Sequence, residues 1–496
     1  MTIPGLARLL GNRINTLPEL PDGIHPGIYI AYALIVLYAA LAIGTAGHAL
    51  LHKRDPRSAW GWIAVCWLFP LAGAVLYYLF GINRIETKAQ RVFGPDLPRP
   101  TLPQPGAPPQ IHGADPLEVR ELARLGWAMS ARPLLGGNDI KPLHNGNQAY
   151  PAMLQAIAGA RRTVHMTSYI FRGDGTGQSF AQALADAKAR GVEVRVLLDG
   201  FGDLYHPRGS RLLRRLGLGP VLFLPMRLWP PMLHMNLRNH RKLLVVDGEL
   251  AFAGGMNIQQ GHVADASGEP AITDLHFRIA GPLAQQLDGV FRNDWGFASG
   301  KEQPPAPDPC PESGAHTSRV ITEGPNEDID RLVMVLIGAL ASAHRRVWIM
   351  TPYFLPPQPL VSALQSAALR GVDVSIIVPD RSDQPWMDWA THHILPRLLE
   401  RQIHLYRRRP PFAHTKLLVM DDWYVQFGSA NLDMRSLRLN FELMVESYGK
   451  PLAQQLASHF AEVRDGSRKM SMEEAQRARF PARLRNALCW LFSPYL

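Results

Sequence analysis

Cysteine is scarce in this chain, with only Cys66, Cys310 and Cys489 among 496 residues. Three scattered cysteines do not indicate a disulfide framework or a cysteine-based zinc site. A low cysteine content fits a protein of a reducing compartment. Charge is absent from two long stretches near the N-terminus, although the whole chain carries a formal net charge of +10. A basic balance favours anionic partners: nucleic acid, an acidic membrane surface or a phosphorylated substrate.

The uncharged stretches cover residues 27–51 and 58–82. Each exceeds the roughly 20 apolar residues that cross a hydrocarbon core, and Tyr and Trp lie near the ends. We therefore predict two spans that form an N-terminal membrane hairpin within residues 1–92, with Pro70 kinking the second helix. Two spans would place the N-terminus and the rest of the chain on the same side. A buried core hairpin, or a hairpin that dips into the bilayer without crossing it, is the alternative.

Two proline-rich stretches divide the remaining chain. Residues 93–114 and residues 301–316 are typical of extended linkers. They bound two segments of similar length, residues 115–300 and residues 317–496. Both segments alternate β-rich runs, such as "VEVRVLL" and "VDVSIIV", with amphipathic helical runs. The fold class predicted is α/β, with two duplicated α/β sandwich halves that form one pseudo-two-fold unit after the membrane hairpin.

One pattern occurs once in each half. "HRKLLVVD" begins at His240 and "HTKLLVMD" begins at His414. Six residues after each Asp comes a Gly-x-x-Asn sequence, "GGMN" ending at Asn257 and "GSAN" ending at Asn431. The His and Lys are two residues apart, so on a strand they point to the same side. A single copy is a weak signal, whereas two copies at identical spacing are specific.

These residue types suit phosphodiester chemistry without a metal. Imidazole can act as a nucleophile or as a general acid and base near neutral pH. Lys supplies a cation for a phosphate oxygen, and Asn donates hydrogen bonds without charge. If the two copies face each other, one His can attack phosphorus while the other protonates the leaving oxygen. The residues alone leave open which His has which role.

The two copies resemble the HKD motifs of the phospholipase D superfamily. The stretches "SAWGWIAVCWLFPLAGAVLYYLFGINR", "NLRNHRKLLVVDG", "HTKLLVMDDW" and "GSANLDMRSLRLNFE" are similar to bacterial cardiolipin synthases. The resemblance covers nearly the whole chain apart from the linkers. It implies phospholipase D-like halves, no cofactor, no metal, and transfer of a phosphatidyl group between two phosphatidylglycerol molecules with release of glycerol.

The resemblance also implies site residues. His240 would be the nucleophile and His414 the acid and base, within a catalytic set of His240, Lys242, Asp247, His414, Lys416 and Asp421. We expect the two motif Asp residues to support the fold, because each lies one strand length from its His. Substrate binding is assigned to Asn257, Ser429 and Asn431.

Two further positions follow from the resemblance. Gly255 stands where many relatives have Ser, so the first half lacks a hydroxyl that could bind phosphate, and we expect a tuned rather than an inactive site. Asp274 and Glu442 follow their motifs at comparable distances. In relatives such acids pair with the His of the opposite half, which predicts contacts of Asp274 with His414 and of Glu442 with His240. Surface or structural acids are the alternative.

The implied partner is the anionic phospholipid phosphatidylglycerol, with no nucleic acid. The implied location is the bacterial inner membrane, with several passes and the catalytic region on the cytoplasmic side, although basic residues flanking the two spans nearly balance. The apolar stretch 224–237 could cover acyl chains or fill a core. The C-terminal sequence "FPARLRNALCWLF" could form an interfacial helix or a packed terminal helix.

Three other functions fit parts of the sequence. The runner-up is a phospholipase D hydrolase or another phosphatidyltransferase. A nuclease could use the same motif pair, but it gives no reason for two spans, and the alternation of aromatic and basic residues typical of a single-strand groove is not seen. A non-catalytic membrane scaffold need not keep both His and both Lys.

Overall fold

The structure is a computed structural model that describes residues 26–53, 56–81, 115–206, 208–225, 237–264, 268, 270–301, 306–324 and 330–493. The chain divides into two compact units, Met1–Arg84 and Ile85–Leu496. The predicted linker at residues 93–114 and most of the apolar stretch 224–237 lie outside the described residues.

The described part of the N-terminal unit is helical: α1 (Pro26–His52), α2 (Pro56–Leu68), α3 (Pro70–Leu76) and a π-helical turn (Tyr77–Gly81). α1 is long and apolar enough to cross a membrane, and no other helix in the described ranges is. Residues 56–81 thus form two shorter helices and a π-helical turn, and the second span expected at residues 58–82 stays a prediction. The break comes at Phe69 (φ −137°, ψ 66°), because the residue before a proline disfavours the helical conformation.

After this break the chain runs back along α2. A Cβ atom on Gly73 would lie 2.5 Å from the carbonyl oxygen of Val65, so the two backbones are in close contact. The Lys53 ammonium, just after α1, donates a hydrogen bond to the carbonyl of Gly81 (2.6 Å). The second apolar stretch thus begins and ends near the same end of α1. Neither α2 nor α3 reaches the roughly 20 residues that a span requires.

The larger unit consists of two similar halves. The first contains α4 (Pro116–Ser130), β1 (Leu135–His144), α5 (Asn145–Gly159), β2 (Thr163–Ser168), α6 (Gly175–Ala189), β3 (Glu193–Asp199), α7 (Gly200–Tyr205), α8 (Arg208–Arg215), β4 (Val221–Phe223), β5 (Leu243–Val246), β6 (Leu250–Gly254), a 3-10 turn (Gln260–His262), β7 (Ile272–Thr273), β8 (Leu275–Ala280) and α9 (Leu283–Ser299).

The second half contains β9 (His316–Glu323), α10 (Arg331–Ser342), β10 (Arg346–Met350), β11 (Phe354–Leu355), α11 (Gln358–Leu369), β12 (Asp373–Pro379), α12 (Pro385–Leu399), β13 (His404–Arg408), β14 (Phe412–Ala413), β15 (Leu417–Met420), β16 (Tyr424–Gly428), β17 (Leu432–Asp433), β18 (Glu442–Tyr448), α13 (Lys450–Asp465), β19 (Arg468–Lys469), α14 (Met472–Gln476) and α15 (Phe480–Leu491).

The halves share one continuous sheet of 15 strands. Its order is β4-β3-β2-β5-β6-β8-β1 in the first half, followed by β9-β18-β16-β15-β10-β12-β13-β19 in the second. β1 and β9 meet antiparallel at the centre, so the strand orders of the two halves mirror each other. The motif strands β5 and β15 occupy equivalent positions: β5 pairs antiparallel with β2 and β6, and β15 pairs antiparallel with β10 and β16. The duplicated α/β fold is therefore confirmed, and its two halves share one sheet.

The hydrophobic cores also cross the boundary between the halves. Helices α9 and α13 pack on one face of the sheet in a single cluster that includes Phe277 and Phe427, whose rings stack at 3.6 Å. Helix α4 precedes β1 in the chain, yet Val119 and Leu122 belong to the core of the second half. The two halves are thus bound into one body, which fixes the strand ends that carry the motifs.

Candidate active site

Each motif histidine is held by the backbone of the opposite half. The His240 N–H donates to the carbonyl of Phe441 (2.9 Å), and the His414 N–H donates to the carbonyl of Thr273 (2.8 Å). Short parallel pairings accompany these bonds, between β14 and β7 and between Asn239 and Phe441. Both histidines consequently line one cavity at the junction of the halves.

Each histidine also contacts a buried carboxylate from the opposite half. His240 Nδ1 lies 2.9 Å from Glu442 Oε1, and His414 Nδ1 lies 2.8 Å from Asp274 Oδ2. Glu442 and Asp274 are both buried, so they are not surface acids. Both expected cross-half contacts are therefore present. A carboxylate accepts hydrogen bonds, so Nδ1–H is the donor in each pair and Nε2 carries the lone pair.

Burial governs the charge on the two imidazoles. Desolvation, partly offset by Glu442, lowers the pKa of His240 to about 4. Desolvation, together with Lys416 and Lys242, holds the pKa of His414 well below its ordinary value. Both shifts favour the neutral imidazole near pH 7. A bound phosphodiester anion would raise both pKa values, because a nearby negative charge favours the protonated form.

The two lysines lie beneath the histidines and are also buried. Each ammonium donates to the backbone carbonyl of its own motif His at 2.6 Å, Lys242 to His240 and Lys416 to His414. Desolvation lowers the pKa of Lys416 to about 8 and that of Lys242 well below its usual range. Two buried amines thus lie beside the histidines, and a bound phosphate would favour the protonated form of both, because a nearby negative charge raises the pKa of an amine.

Ser429 does not face the cavity as a phosphate-binding hydroxyl. Its Oγ donates to Glu442 Oε2 at 2.5 Å and accepts from the Leu443 N–H at 2.9 Å. Ser429 thus contacts the carboxylate that contacts His240, and its assignment to substrate binding stays a prediction. At the equivalent Gly255, a Cβ would lie 2.4 Å from Asp274 Oδ2, so the Asp carboxylate occupies the space of a side chain.

The motif aspartates are not among the residues that line the cavity, and their place in the catalytic set stays a prediction. Asp247 and Asp421 follow β5 and β15, about 20 Å along the chain from the motif histidines at roughly 3.3 Å per residue. Both residues have positive φ, 56° and 49°. Each carboxylate accepts three backbone N–H groups, from Arg161, Arg162 and Thr163 or from His344, Arg345 and Arg346. They hold the turn before the neighbouring strand, as expected of fold-supporting residues.

The cavity has a volume of about 170 Å³ and is lined by Asn257 and Asn431 as well as both histidines. Asn257 Oδ1 accepts from the Ile170 N–H (3.1 Å), whereas Asn431 Oδ1 is buried and has no hydrogen-bond partner among the described residues. Within the described ranges, no group of three His, Cys, Asp or Glu side chains is placed to hold a metal ion. The site consists of nitrogen donors, hydroxyls and carboxylates.

Sequence reasoning missed several lining residues. Tyr169 and Tyr353 line the cavity at equivalent positions, and the Tyr169 ring packs edge-on against His240 at 5.2 Å. Their repeat in "MTSYIF" and "MTPYF" was the available signal. The walls beside the two histidines differ, because Arg238 precedes His240 at the position where Phe412 precedes His414. A symmetric backbone thus carries an asymmetric surface.

Comparison with known proteins agrees with this geometry. The family model described as "Cardiolipin synthase, PLD-like domain" matches residues 153–295 and 336–464, which cover both motifs. The chain belongs to the cardiolipin synthase family. A second model, "Phospholipase_D-nuclease N-terminal", matches residues 40–81. Membership makes the chain an enzyme of the phosphatidyltransferase type.

Relatives in the cardiolipin synthase family match along nearly their full length. A cardiolipin synthase from Geobacillus kaustophilus is 30% identical over 93% of this chain and 92% of its own. Cardiolipin synthase A from Pseudomonas putida is 31% identical over 95% of this chain and 99% of its own. The crystal structure of phosphatidylserine synthase from Haemophilus influenzae has a TM-score of 0.58, with 16% identity, and covers 76% of this chain and all of that one. This last likeness supports the fold alone.

Proposed function

We propose that this enzyme makes cardiolipin from two phosphatidylglycerol molecules through a covalent phosphatidyl-histidine. The observation that carries the proposal is a single cavity with two imidazoles, each of which contacts a buried carboxylate of the opposite half through Nδ1. Two buried lysines lie beside them. This arrangement provides a nucleophile, an acid and fixed positive charge for one phosphodiester.

In the first step, Nε2 of one histidine attacks phosphorus and the bond from phosphorus to the headgroup glycerol oxygen breaks. The second histidine, protonated when the anionic substrate binds, gives its proton to that oxygen, so free glycerol leaves. The second histidine is left neutral. Lys242 and Lys416 offset the charge that develops on the phosphoryl oxygens.

In the second step, the neutral histidine accepts a proton from a hydroxyl of a second phosphatidylglycerol. The resulting oxygen attacks phosphorus, the N–P bond breaks, and the nucleophilic imidazole is released. The second histidine regains its proton, so the cycle closes with one phosphodiester broken and one formed.

The two carboxylates differ in a way that supports His240 as the nucleophile. His240 and donors from Ser429 and Asn440 contact Glu442, and the pKa of this carboxyl is lowered despite its burial. Burial instead raises the pKa of Asp274. A phosphorylated imidazole that keeps its Nδ1 proton is cationic, so it is better stabilised by the more firmly ionised acid. His414 then acts as acid and base.

The membrane part of the proposal rests on α1. This helix has the length and apolar composition of a span, and phosphatidylglycerol is itself a membrane lipid. We propose an inner-membrane enzyme whose site excludes water, because a phosphatidyl-histidine attacked by water would give phosphatidic acid instead of cardiolipin.

The experiment is to supply labelled phosphatidylglycerol in vesicles to the purified full-length protein and to separate the lipid products by chromatography. Cardiolipin and glycerol are the expected products. His240→Ala and His414→Ala should each abolish transfer, whereas His344→Ala, whose ring is exposed at the surface, should leave it intact. Phosphatidic acid as the main product would support a phospholipase D hydrolase, and an active His240→Ala variant would overturn the two-histidine site.

A further inference from the structure

The C-terminal helix α15 has one packed face and one exposed face. Asn486 is buried, and Cys489 and Trp490 pack against the core of the second half. The opposite face carries exposed apolar side chains at helical spacing, here named the C-terminal stripe: Phe480, Leu484, Leu488 and Leu491, exposed by 74%, 51%, 51% and 64%. Positions i, i+4, i+8 and i+11 fall on one side of a helix. An apolar row on a well-packed helix marks an interaction surface.

The stripe is bordered by positive charge. Arg483 lies on one side of it and Arg485 on the other, and Arg479 precedes the helix. Residues 477–496 contain no Asp or Glu. The acids of the preceding helix α14, Glu473 and Glu474, form ion pairs with Arg477 and Arg468. An apolar stripe bordered by arginines is complementary to a bilayer that contains anionic phospholipids.

The packed face places the stripe near the active-site cavity. The Arg485 guanidinium lies 4.2 Å over the Trp389 ring, and the Trp490 ring lies 4.8 Å from the His393 ring. From the first pair to the second, the residue number increases in both α12 and α15, so the two helices run in the same direction. The first turn of α15 is therefore beside the first turn of α12, where Met387 lines the cavity.

We propose that the C-terminal stripe is a second membrane contact, by which the catalytic unit lies on the surface of an anionic bilayer with its cavity facing the lipid headgroups. The exposed Trp386, next to Met387, adds an interfacial aromatic side chain at the same end. The contact is independent of the N-terminal apolar helix, because it belongs to the folded catalytic unit. It would let a lipid headgroup reach the histidines without leaving the bilayer.

The test measures where the stripe lies in the full-length protein, and it requires no turnover. Leu488 is replaced by Cys in a background without Cys66, Cys310 and Cys489, and an environment-sensitive fluorophore is attached. The protein is reconstituted into phosphatidylglycerol-containing vesicles with a lipid-borne quencher. The label should be quenched by the lipid quencher and protected from aqueous iodide. Vesicles of phosphatidylcholine alone should give less quenching.

Leu369 provides the matched control. It is an exposed leucine (60%) at the last position of α11, and it does not line the cavity. A label at Leu369 should remain accessible to iodide and escape the lipid quencher. The double substitution Arg479→Glu and Arg483→Glu should cause loss of lipid quenching at Leu488 while leaving the Leu369 label unchanged.

Two results would overturn the proposal. If the Leu488 label is as accessible to iodide as the Leu369 label, the stripe is exposed to water. If it is protected from both quenchers, a protein surface, such as a second copy of this chain, covers it. Either result would leave the catalytic proposal standing, since cardiolipin formation is measured separately.

Discussion

Replacing Glu442 by Gln removes one charge from the site and nearly preserves its shape. The carboxylate accepts from His240 Nδ1 (2.9 Å), Ser429 Oγ (2.5 Å) and Asn440 Nδ2 (3.2 Å). Glutamine has one acceptor oxygen and an NH2 group, so at least one of these donors faces another donor. The hydrogen bond from His240 Nδ1 then goes to an uncharged amide oxygen instead of a carboxylate.

A hydrogen bond to a charged group contributes about 1.5–3 kcal/mol, so we expect Glu442→Gln to lower kcat roughly 10- to 150-fold. The loss should fall on kcat more than on KM, because the imidazole becomes cationic only when phosphorus is bound to it. The assay is initial transfer between labelled phosphatidylglycerol molecules in vesicles, normalised to the folded fraction measured by thermal unfolding.

The control is Glu446→Gln, on the same strand and equally buried. Glu446 contacts Arg319 and Tyr424, away from the cavity, so its loss should lower the unfolding temperature without changing kcat per folded molecule. If Glu442→Gln transferred the phosphatidyl group as fast as the wild type, or if Glu446→Gln slowed kcat equally, the carboxylate would not act through His240.

Three further outcomes are expected. Burial lowers the pKa of His276 to about 4. Between pH 6.5 and about pH 4 the unfolded chain therefore binds a proton at this residue that the folded chain does not, so the free energy of unfolding falls as the pH decreases through that range. His276→Met, which places the residue of the equivalent position Met444 here, should raise the unfolding temperature more in that range than near neutral pH. An equal gain at both pH values would contradict this. A tag before α1 should lie on the opposite side of the membrane from the catalytic unit, because α2 folds back through α3 and only α1 is long enough to span. If a protease added to one side of the membrane cleaved both the tag and the catalytic unit, the two-span prediction would be supported instead. A chelator should leave the transfer rate unchanged, because lysines supply the positive charge, and a metal requirement in detergent-solubilised enzyme would refute this.

The motif residues could be predicted because their repeated spacing can be seen in the sequence without any knowledge of tertiary packing. The repeat placed His and Lys two residues apart, in segments that lie just before β5 and β15, and the duplication implied that two such segments meet. The cross-half contacts to Glu442 and Asp274 came from family resemblance, since they join residues 202 and 140 positions apart, beyond any local pattern.

Other features depend on tertiary packing. Ser429 fits the expectation for a phosphate-binding hydroxyl until the sheet register places it against Glu442. The apolar stretch 58–82 has the composition of a span, yet the chain reverses at Pro70 because α3 can pack closely on α2 through Gly73. The sequence left two alternatives for the C-terminal helix, a packed terminal helix and an interfacial helix. In the structure one face packs against the second half and the opposite face is exposed, and only the packing partners show which face is which.

The central claim is that one histidine carries the phosphatidyl group. Full-length enzyme is mixed with phosphatidylglycerol labelled on phosphorus, stopped early in alkaline denaturant to preserve phosphohistidine, and digested for peptide mapping. The account predicts label on the peptide that contains His240, lost in His240→Ala and discharged to cardiolipin when unlabelled phosphatidylglycerol is added before quenching. Rapid cardiolipin formation with no protein-bound label, or label on a residue other than the two motif histidines, would contradict it.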